Sequence, residues 1–178
     1  MIISYFAIAV FVVVLIALLF LVYSGATIAP WLPSRKHDFE RVNRLAGLEP
    51  GQTFYELGCG DGRVARYIAT KNPETEVIGI EIFFPIYLWA KGMQLLKGPK
   101  NLKIKFGDAL KEDLTNADVI YTFALTKTIN GGLKTKFEQE MKQDARILSY
   151  VFAIKEWDGV TMVDKPDKDT LSIYTYTR

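Results

Sequence analysis

The sequence has little cysteine, little histidine and no excess of charge of one sign. Its 178 residues contain one cysteine, Cys59, and one histidine, His37. A single cysteine excludes an internal disulfide, and this pair is too small a set of soft ligands for a structural zinc ion. The 22 basic and 20 acidic side chains give a net charge of +2, far from the positive field that holds nucleic-acid phosphates. We therefore expect no bound metal and no nucleic-acid partner.

Charge is also missing from the N-terminal stretch IISYFAIAVFVVVLIALLFLVY, residues 2–23. At about 1.5 Å per residue, a helix of this length crosses a hydrocarbon core of roughly 30 Å. A cleaved signal peptide is the alternative, but it would carry a basic region before a shorter apolar core. No basic residue precedes this stretch. The pattern predicts a transmembrane anchor over residues 1–24.

The first basic residues after the span are Arg35 and Lys36. Because positive charge is enriched on the cytoplasmic side of membrane spans, their position predicts a single-pass membrane protein with a cytoplasmic C-terminal domain. Small residues and prolines between positions 25 and 37 indicate a linker. The domain itself is expected over residues 38–178.

Strand-like and helix-like segments alternate through this domain. A short helix over DFERVNRLAGL is followed by the strand-like segments TFYEL, EVIGIE, LKIKFGD, ADVIYTFAL and RILSYVFA. The helix-like segments between them are RVARYIATK, PIYLWAKGMQLLK and LKTKFEQEMKQ. This alternation predicts a parallel α/β sheet covered on both faces. Two β-branched and aromatic runs around DKPDKD predict that the sheet finishes with an antiparallel pair.

A glycine-rich turn follows the first predicted strand, where an open α/β sheet leaves its ligand crevice. Its glycines alternate with other residues at Gly58, Gly60 and Gly62. A dinucleotide-binding turn of the form G-x-G-x-x-G would need its last glycine where Arg63 stands. Glu56 and Asp61 flank the turn with negative charge, which disfavours a pyrophosphate and favours a cation. A strand-end charge and a helix cap are the structural alternatives for these two acids.

Acids also follow the next two predicted strands. Glu81 ends EVIGIE, where a carboxylate can accept both hydroxyls of a ribose, and Asp108 follows LKIKF, where an acid can accept the adenine amino group. Acids at three successive strand ends favour a ligand that carries positive charge beside a nucleoside. S-adenosylmethionine has these properties.

The segments YELGCGDGRVARYIA, GIE and GDAL resemble, in order and spacing, the first three motifs of class I S-adenosylmethionine-dependent methyltransferases. The resemblance implies a Rossmann-like seven-stranded sheet of order 3-2-1-4-5-7-6 with strand 7 antiparallel. It places the methionine moiety at Glu56 and Gly58 and the nucleoside over Gly60 and Gly62. The ribose then lies at Glu81 and the adenine at Asp108. The remaining members of the implied cofactor-binding set are Cys59, Asp61, Ile82 and Ala109, and we interpret Cys59 as a packing residue.

A narrower resemblance involves PWLPS, residues 30–34, and the segment from ADVIYTFAL to DARILSYVFAIKEW. With the apolar N-terminal stretch, these are similar to the protein-lysine N-methyltransferases that include the mitochondrial ATP synthase c-subunit lysine methyltransferase and its prokaryotic relatives. The resemblance implies that PWLPS covers the cofactor, with Ser34 hydrogen-bonding near the cofactor carboxylate. A stiff linker at the membrane interface is the alternative.

The acceptor is expected beyond the fourth strand, where the sequence reads YTFAL. It lacks the N/D-P-P-Y/F pattern of enzymes that methylate adenine, cytosine or glutamine amides, and it is similar to the loop of histone lysine methyltransferases of this fold. Aromatic faces stabilise a developing cation, so the candidates for the walls of the acceptor pocket are Tyr121, Phe123, Tyr150, Phe152 and Trp157. The candidate catalytic residues are Thr122, Phe123 and Trp157. Packing in the core is the alternative for the aromatics.

The predicted tether indicates the kind of acceptor, because a tethered domain acts at high effective concentration on its own bilayer. We therefore expect a membrane-anchored methyltransferase that acts on a lysine of a membrane-associated protein. The alternatives are a lipid or quinone methyltransferase and a non-catalytic protein that binds S-adenosylmethionine.

Overall fold

The chain divides into two units, Met1–Leu32 and Pro33–Arg178. The computed structural model describes residues 34–177 of the second unit and, in the first, the helical residues 5, 7, 8, 10–12, 14 and 15. The other residues of the predicted transmembrane segment, and residues 25–33 of the predicted linker, lie outside the described residues. Within the described ranges, no helix is both long enough and apolar enough to span a bilayer.

Helices and strands alternate in the second unit. After a short 3₁₀ turn at Lys36–Asp38, the helices are α1 (Phe39–Ala46), α2 (Arg63–Lys71), α3 (Phe84–Lys97) and α4 (Lys134–Glu140). The strands are β1 (Thr53–Leu57), β2 (Glu76–Glu81), β3 (Leu102–Phe106), β4 (Val119–Thr122), β5 (Arg146–Tyr150), β6 (Val160–Asp164) and β7 (Ile173–Thr177). A helical turn at Thr126–Thr128 and a π-helical segment at Ile129–Leu133 precede α4.

The strands form one seven-stranded sheet of order β3-β2-β1-β4-β5-β7-β6. Strands β1 to β5 are parallel, and β7 runs antiparallel to both β5 and β6. The predicted Rossmann-like topology, including the antiparallel strand 7, is confirmed.

Two apolar clusters cover the two faces of the sheet. Successive residues of β1 point to opposite faces, so Phe54 joins one cluster and Tyr55 the other. The first cluster contains the buried faces of α1 and α2, including Val42 and Ile68, while the second contains Phe137 of α4. Burial of each large apolar side chain contributes about 1.5–3 kcal/mol relative to exposure. The sheet is therefore buried on both sides, as the sequence pattern predicts.

The fourth strand and the following helix are shorter than predicted. The segment ADVIYTFAL forms a strand only from Val119 to Thr122. Thr122 pairs with Leu57, the last residue of β1, so beyond it the chain has no partner on that side and leaves the sheet. The helix expected from Leu133 is preceded by π-helical backbone, in which Gly131 has non-helical angles (φ −104°, ψ −117°). Gly131 and Gly132 lack the side chains that favour a regular α-helix.

Gly79 in β2 allows the glycine turn to pack against the sheet. A Cβ at this position would lie 2.9 Å from Cys59 Sγ and 2.8 Å from Ile104 Cδ1, and both of those side chains are buried. We expect Gly79→Ala to lower the free energy of unfolding by about 1–3 kcal/mol, because it overpacks this contact. Urea denaturation measures the change.

Gly92 in α3 provides the matched control. A Cβ there would meet no heavy atom within 4 Å, so Gly92→Ala should raise the free energy of unfolding by up to about 1 kcal/mol through helix propensity. Equal changes in the two variants would contradict the packing explanation.

Candidate active site

The carboxyl ends of the central strands lie level with one another. Leu57 at the end of β1 pairs with Ile80 on one side and Thr122 on the other. The chain then turns sharply, and the amides of Gly58 and Cys59 both donate to the Ile80 carbonyl at 2.9 Å. The turn needs glycine, because Gly58, Gly60 and Gly62 have φ of 74°, 54° and 69°. The predicted crevice at the end of β1 is therefore formed by backbone that approaches the neighbouring strand closely.

Glu56 is buried beneath this turn. Its Oε2 accepts a hydrogen bond of 2.7 Å from the amide of Ala65. Helix α2 begins at Arg63, and Gly62 before it offers no side chain, so Glu56 supplies the acceptor that a capping residue would otherwise provide. Burial raises the pKa of Glu56 to about 8, and the bond from Ala65 opposes the shift only in part. At neutral pH this carboxyl is mainly protonated in the cofactor-free protein.

Asp61, the other acid beside the turn, has a charged partner. Its carboxylate pairs with the guanidinium of Arg63 at 2.6 Å and also accepts the Arg63 amide at 3.2 Å. We expected Glu56 and Asp61 to present negative charge to a ligand, and the structure corrects this expectation for both. One acid is protonated and the other is paired with a cation.

Glu81, at the end of β2, joins the glycine turn to the second strand. Its Oε2 accepts the Gly60 amide at 2.8 Å and its Oε1 accepts the Phe83 amide at 2.7 Å. A carboxylate has about four acceptor sites, so both oxygens retain capacity for the hydroxyls of a ribose. Glu81 thereby fixes the turn while it keeps the position predicted for ribose recognition.

Asp108, Ile82 and Ala109 lie beyond the ends of β2 and β3. Asp108 Oδ1 accepts the Leu110 amide at 3.0 Å, which fixes the loop after β3. Ile82 is exposed and Ala109 is half-buried. These positions offer an acceptor beside apolar surface, which suits the amino group and the ring of adenine.

Cys59 points away from the ligand side of the turn. Its side chain is 4% exposed, and its Sγ faces Gly79 of β2. Burial raises the pKa of the thiol well above its usual value, so the thiolate that a nucleophile requires is not formed at neutral pH. This placement agrees with the packing role inferred from the sequence.

The three predicted acceptor-pocket residues occupy different environments. Thr122 is buried, and its hydroxyl donates to the Leu57 carbonyl at 3.3 Å. Phe123 is half-buried and contacts the ring of Tyr150, with centroids 5.0 Å apart, and that of Phe152, at 6.2 Å. Trp157 packs against Tyr176 and donates to the Thr177 carbonyl at 3.2 Å. The structure places Phe123 in an aromatic group at the ends of β4 and β5, while Thr122 and Trp157 bond to backbone.

Two buried tyrosines join this group to the start of the domain. Ser34 Oγ and the Tyr121 hydroxyl form a hydrogen bond of 2.7 Å, and the Tyr150 hydroxyl donates to Asp38 Oδ2 at 2.6 Å. Ser34 was predicted to bond near the cofactor carboxylate, and in the cofactor-free protein its partner is Tyr121. These bonds hold the segment before α1 against the ends of β4 and β5.

Asp38 has a role that the sequence reasoning missed. The sequence pattern places it at the start of the short helix DFERVNRLAGL, but its side chain is fully buried and makes no cap bond. Its carboxylate binds Tyr150 and, at 2.6 Å, the guanidinium of Arg41. Arg41 also pairs with Asp164 of β6 at 2.5 Å. The spacing of Asp38 and Arg41 on one helical turn was the available signal, whereas Tyr150 and Asp164 are distant in sequence.

The residues around the turn fit S-adenosylmethionine. A Cβ at Gly58 would meet no heavy atom within 4 Å, so the turn has open space on its ligand side. Gly58 and Glu56 would lie beside the methionine moiety, Glu81 would bind the ribose and Asp108 the adenine. The carboxylates of Glu81 and Asp108 are acceptors, as the hydroxyls of a ribose and the amino group of adenine require.

A known methyltransferase family matches the part of the chain that contains the glycine turn and the aromatic group. The model of the ANTKMT methyltransferase domain matches residues 56–161. A protein-lysine N-methyltransferase of Saccharolobus islandicus (strain REY15A) is 28% identical over 149 residues, which are 83% of this chain and 92% of that protein.

Solved methyltransferase structures share the fold. An RNA methyltransferase from Salinibacter ruber, in complex with S-adenosyl-L-homocysteine, has a TM-score of 0.71 at 23% identity, over 82% of this chain and 93% of its own. A precorrin-6y C5,15-methyltransferase from Geobacter metallireducens GS-15 has a TM-score of 0.68 at 11% identity, over 84% and 92%. At such identities the similarity concerns the fold, while the acceptors of these proteins differ from one another.

The buried carboxyl of Glu56 should make the stability of the cofactor-free protein depend on pH. The unfolded chain loses this proton near its ordinary pKa of 4.5, whereas the folded protein holds it up to about 8. Between these values the folded state binds more protons, so stability falls as pH rises, by up to about 1.4 kcal/mol per pH unit from this group. Glu56→Gln keeps an acceptor for Ala65 and should remove this contribution.

Urea denaturation at pH 5, 6, 7 and 8 tests this expectation. The difference in stability between Glu56→Gln and the wild type should grow in favour of the variant as pH rises. The exposed Glu49→Gln variant is the control and should follow the wild type. A difference between Glu56→Gln and the wild type that stays constant over this range would contradict the shifted pKa.

Proposed function

The chain belongs to the ANTKMT methyltransferase family and is an S-adenosylmethionine-dependent methyltransferase; from this premise we propose that it methylates lysine side chains of a membrane-associated protein. The proposal has two parts, the lysine acceptor and the membrane location. Each is supported by a separate feature of the chain.

The aromatic group at the ends of β4 and β5 is the observation that carries the lysine acceptor. Phe123 and Phe152 are half-buried, stack with centroids 6.2 Å apart and lie beside the buried ring of Tyr150. Phe123 follows β4, which pairs with β1, and Phe152 follows β5, the next strand of the sheet. An acceptor is expected to approach the cofactor at the carboxyl end of β4. Aromatic faces attract an alkyl ammonium group. A lysine side chain, with its apolar stem and cationic end, suits such a wall.

The chemistry requires a neutral amine in line with the methyl group. Bound S-adenosylmethionine supplies an electrophilic methyl group on a sulfonium centre. The aromatic wall formed by Phe123, Phe152 and Tyr150 removes water from the incoming lysine. Loss of water lowers the pKa of the lysine ammonium group and favours loss of its proton. The wall also fixes the direction of attack, which supplies part of the rate enhancement. The faces of Phe123 and Phe152 would stabilise the positive charge that the lysine nitrogen gains when it accepts the methyl group.

The tyrosines near this wall act as structural groups. Burial raises the pKa of Tyr121 and of Tyr150 above the usual value, so both hydroxyls keep their protons at neutral pH. Each forms a hydrogen bond, to Ser34 and to Asp38 respectively. Neither hydroxyl therefore acts as a base, and in this mechanism the desolvated lysine releases its proton to bulk water before the methyl group is transferred.

The membrane location is supported by the sequence of residues 2–23. This uncharged run is long enough for a helix that crosses a bilayer of roughly 30 Å. The order of charges after it favours a catalytic unit on the cytoplasmic side. Such a tether raises the effective concentration of acceptors in the same membrane, and the curated relative is named a protein-lysine N-methyltransferase. We therefore expect a lysine close to the membrane surface of another protein.

Cofactor binding tests the site itself. Glu81→Ala removes the acceptor for the Gly60 amide and for a ribose, and we expect the Kd for S-adenosylmethionine to rise at least about 100-fold, since hydrogen bonds to charged groups contribute about 1.5–3 kcal/mol each. Calorimetry measures the affinity. Glu76→Ala, at the other end of the same strand and paired with Lys103, is the control. Unchanged affinity in Glu81→Ala would contradict the proposed ribose site.

The acceptor is tested by labelling. The purified chain is incubated with S-adenosylmethionine carrying a labelled methyl group and with membranes of the source organism, and mass spectrometry locates the label. We expect label on lysine of a membrane protein, absent with Glu81→Ala and present with Glu76→Ala. Label on lipid or quinone in place of protein would overturn the lysine proposal, as would cofactor binding without any transfer.

A further inference from the structure

Helix α3 directs polar side chains toward the sheet. The amide of Gln94 lies against the outer edge of β3, where its Nε2 donates to the Leu102 carbonyl at 2.8 Å and its Oε1 accepts the Ile104 amide at 3.0 Å. Lys91 Nζ also donates to the Ile104 carbonyl, at 3.3 Å. These side chains satisfy the backbone of an edge strand that would otherwise be open to pairing. Only Ala90 of this helix is buried.

The opposite face of α3 is apolar and exposed. Leu88 is 51% exposed, Trp89 64%, Leu95 75% and Leu96 79%. Their spacing puts all four on one side of the helix, over about 12 Å of its axis. An ordinary surface helix has the reverse arrangement, with its apolar stripe toward the core. An exposed stripe of large apolar side chains indicates a surface that meets a partner.

The charge around this face has one sign. Residues 82–107 contain no acidic side chain and carry lysines at positions 91, 97, 100, 103 and 105. Lys103 and Lys105 pair with Glu76 and Glu112. Lys97, in the last turn of α3, and Lys100, just after it, are exposed and form no ion pair within residues 34–177. The partner of the apolar face should therefore carry negative charge at its border.

We propose that α3 docks in the plane of a membrane, with Leu88, Trp89, Leu95 and Leu96 in the interfacial region and Lys97 and Lys100 on anionic lipid headgroups. A helix with an apolar face, a tryptophan and lysines at its border is suited to this location. A second copy of the chain fits less well, because a two-fold contact through this face would bring like charges together. Addition of a strand to β3 is opposed by Gln94.

The inference deepens the proposed function, since it concerns how a tethered catalytic unit meets the lipid surface. It adds a second membrane contact that is independent of residues 2–23. Because α3 connects β2 to β3, the strands that end at Glu81 and Phe106, this contact would determine how the cofactor site faces the membrane.

The fluorescence of Trp89 tests the proposal in the full-length chain. Trp31→Phe and Trp157→Phe leave Trp89 as the sole tryptophan. The protein is reconstituted into phosphatidylcholine vesicles with or without about 30% phosphatidylglycerol, an anionic lipid content that attracts basic segments. Brominated acyl chains should quench Trp89 in the anionic vesicles, and its accessibility to acrylamide should fall at least about twofold relative to detergent solution.

Charge variants show whether Lys97 and Lys100 direct the docking. Lys97→Glu with Lys100→Glu should reduce the quenching in anionic vesicles to the level in neutral ones. Lys165→Glu with Lys168→Glu makes the same change of charge in the exposed β6–β7 loop and should leave the quenching intact. Absence of quenching in anionic vesicles would overturn the proposal. Protection of Trp89 that rises with protein concentration in the absence of lipid would also overturn it, in favour of a second copy.

A separate measurement distinguishes failure of docking through α3 from failure of the transmembrane tether. Retention of the chain in neutral vesicles after a carbonate wash reports on residues 2–23. A chain that is washed off but whose Trp89 is quenched by anionic vesicles lacks the tether and still supports docking through α3. Methyl transfer to lysine is measured independently of both.

Discussion

The buried carboxyl of Glu56 is the interaction on which the cofactor site depends. It closes the first turn of α2 through the Ala65 amide, and so fixes where the glycine turn leaves β1. The cost of burying this group appears as a pKa raised to about 8. With Asp61 paired to Arg63, the open acceptor at the mouth of the site is Glu81, which also holds the Gly60 amide. Glu81 therefore both holds the glycine turn in place and is the residue expected to bind the ribose of the cofactor.

The aromatic wall beside the expected lysine position is held by residues at the start of the domain. Ser34 and Asp38, which precede α1, bond to Tyr121 and Tyr150 respectively, and the ring of Tyr150 contacts those of Tyr121 and Phe123. Arg41 extends the connection to Asp164 in β6. The segment that enters the domain is therefore held by the strands that carry the aromatic wall. Movement of the segment that contains Ser34 and Asp38 would displace the aromatic wall, because buried hydrogen bonds join the two.

Helix α3 shows how covering an edge strand leads to a new surface. Gln94 replaces the hydrogen bonds of a missing neighbour along β3, so polar groups occupy the inner face of the helix. Leu88, Trp89, Leu95 and Leu96 then have no place in either apolar cluster and face outward. Protection of the sheet edge and exposure of the apolar face are two consequences of the same helix orientation.

The sequence by itself determined the topology and the choice of cofactor, whereas the residues that bind the cofactor stay a prediction. Alternating strand and helix patterns and the glycine turn are local signals, and they predicted a parallel sheet that finishes with an antiparallel pair. The strand order followed from the resemblance of the glycine motif and the strand-end acids to a known family. Tertiary structure alone decided the environment of those acids, because burial raises the pKa of Glu56 and the amide of Gly60 reaches Glu81, 21 residues away, only across the folded sheet. It also decided the partners of Asp38 and the outward face of α3. Those features depend on residues far apart in the chain, which come together only when the sheet forms.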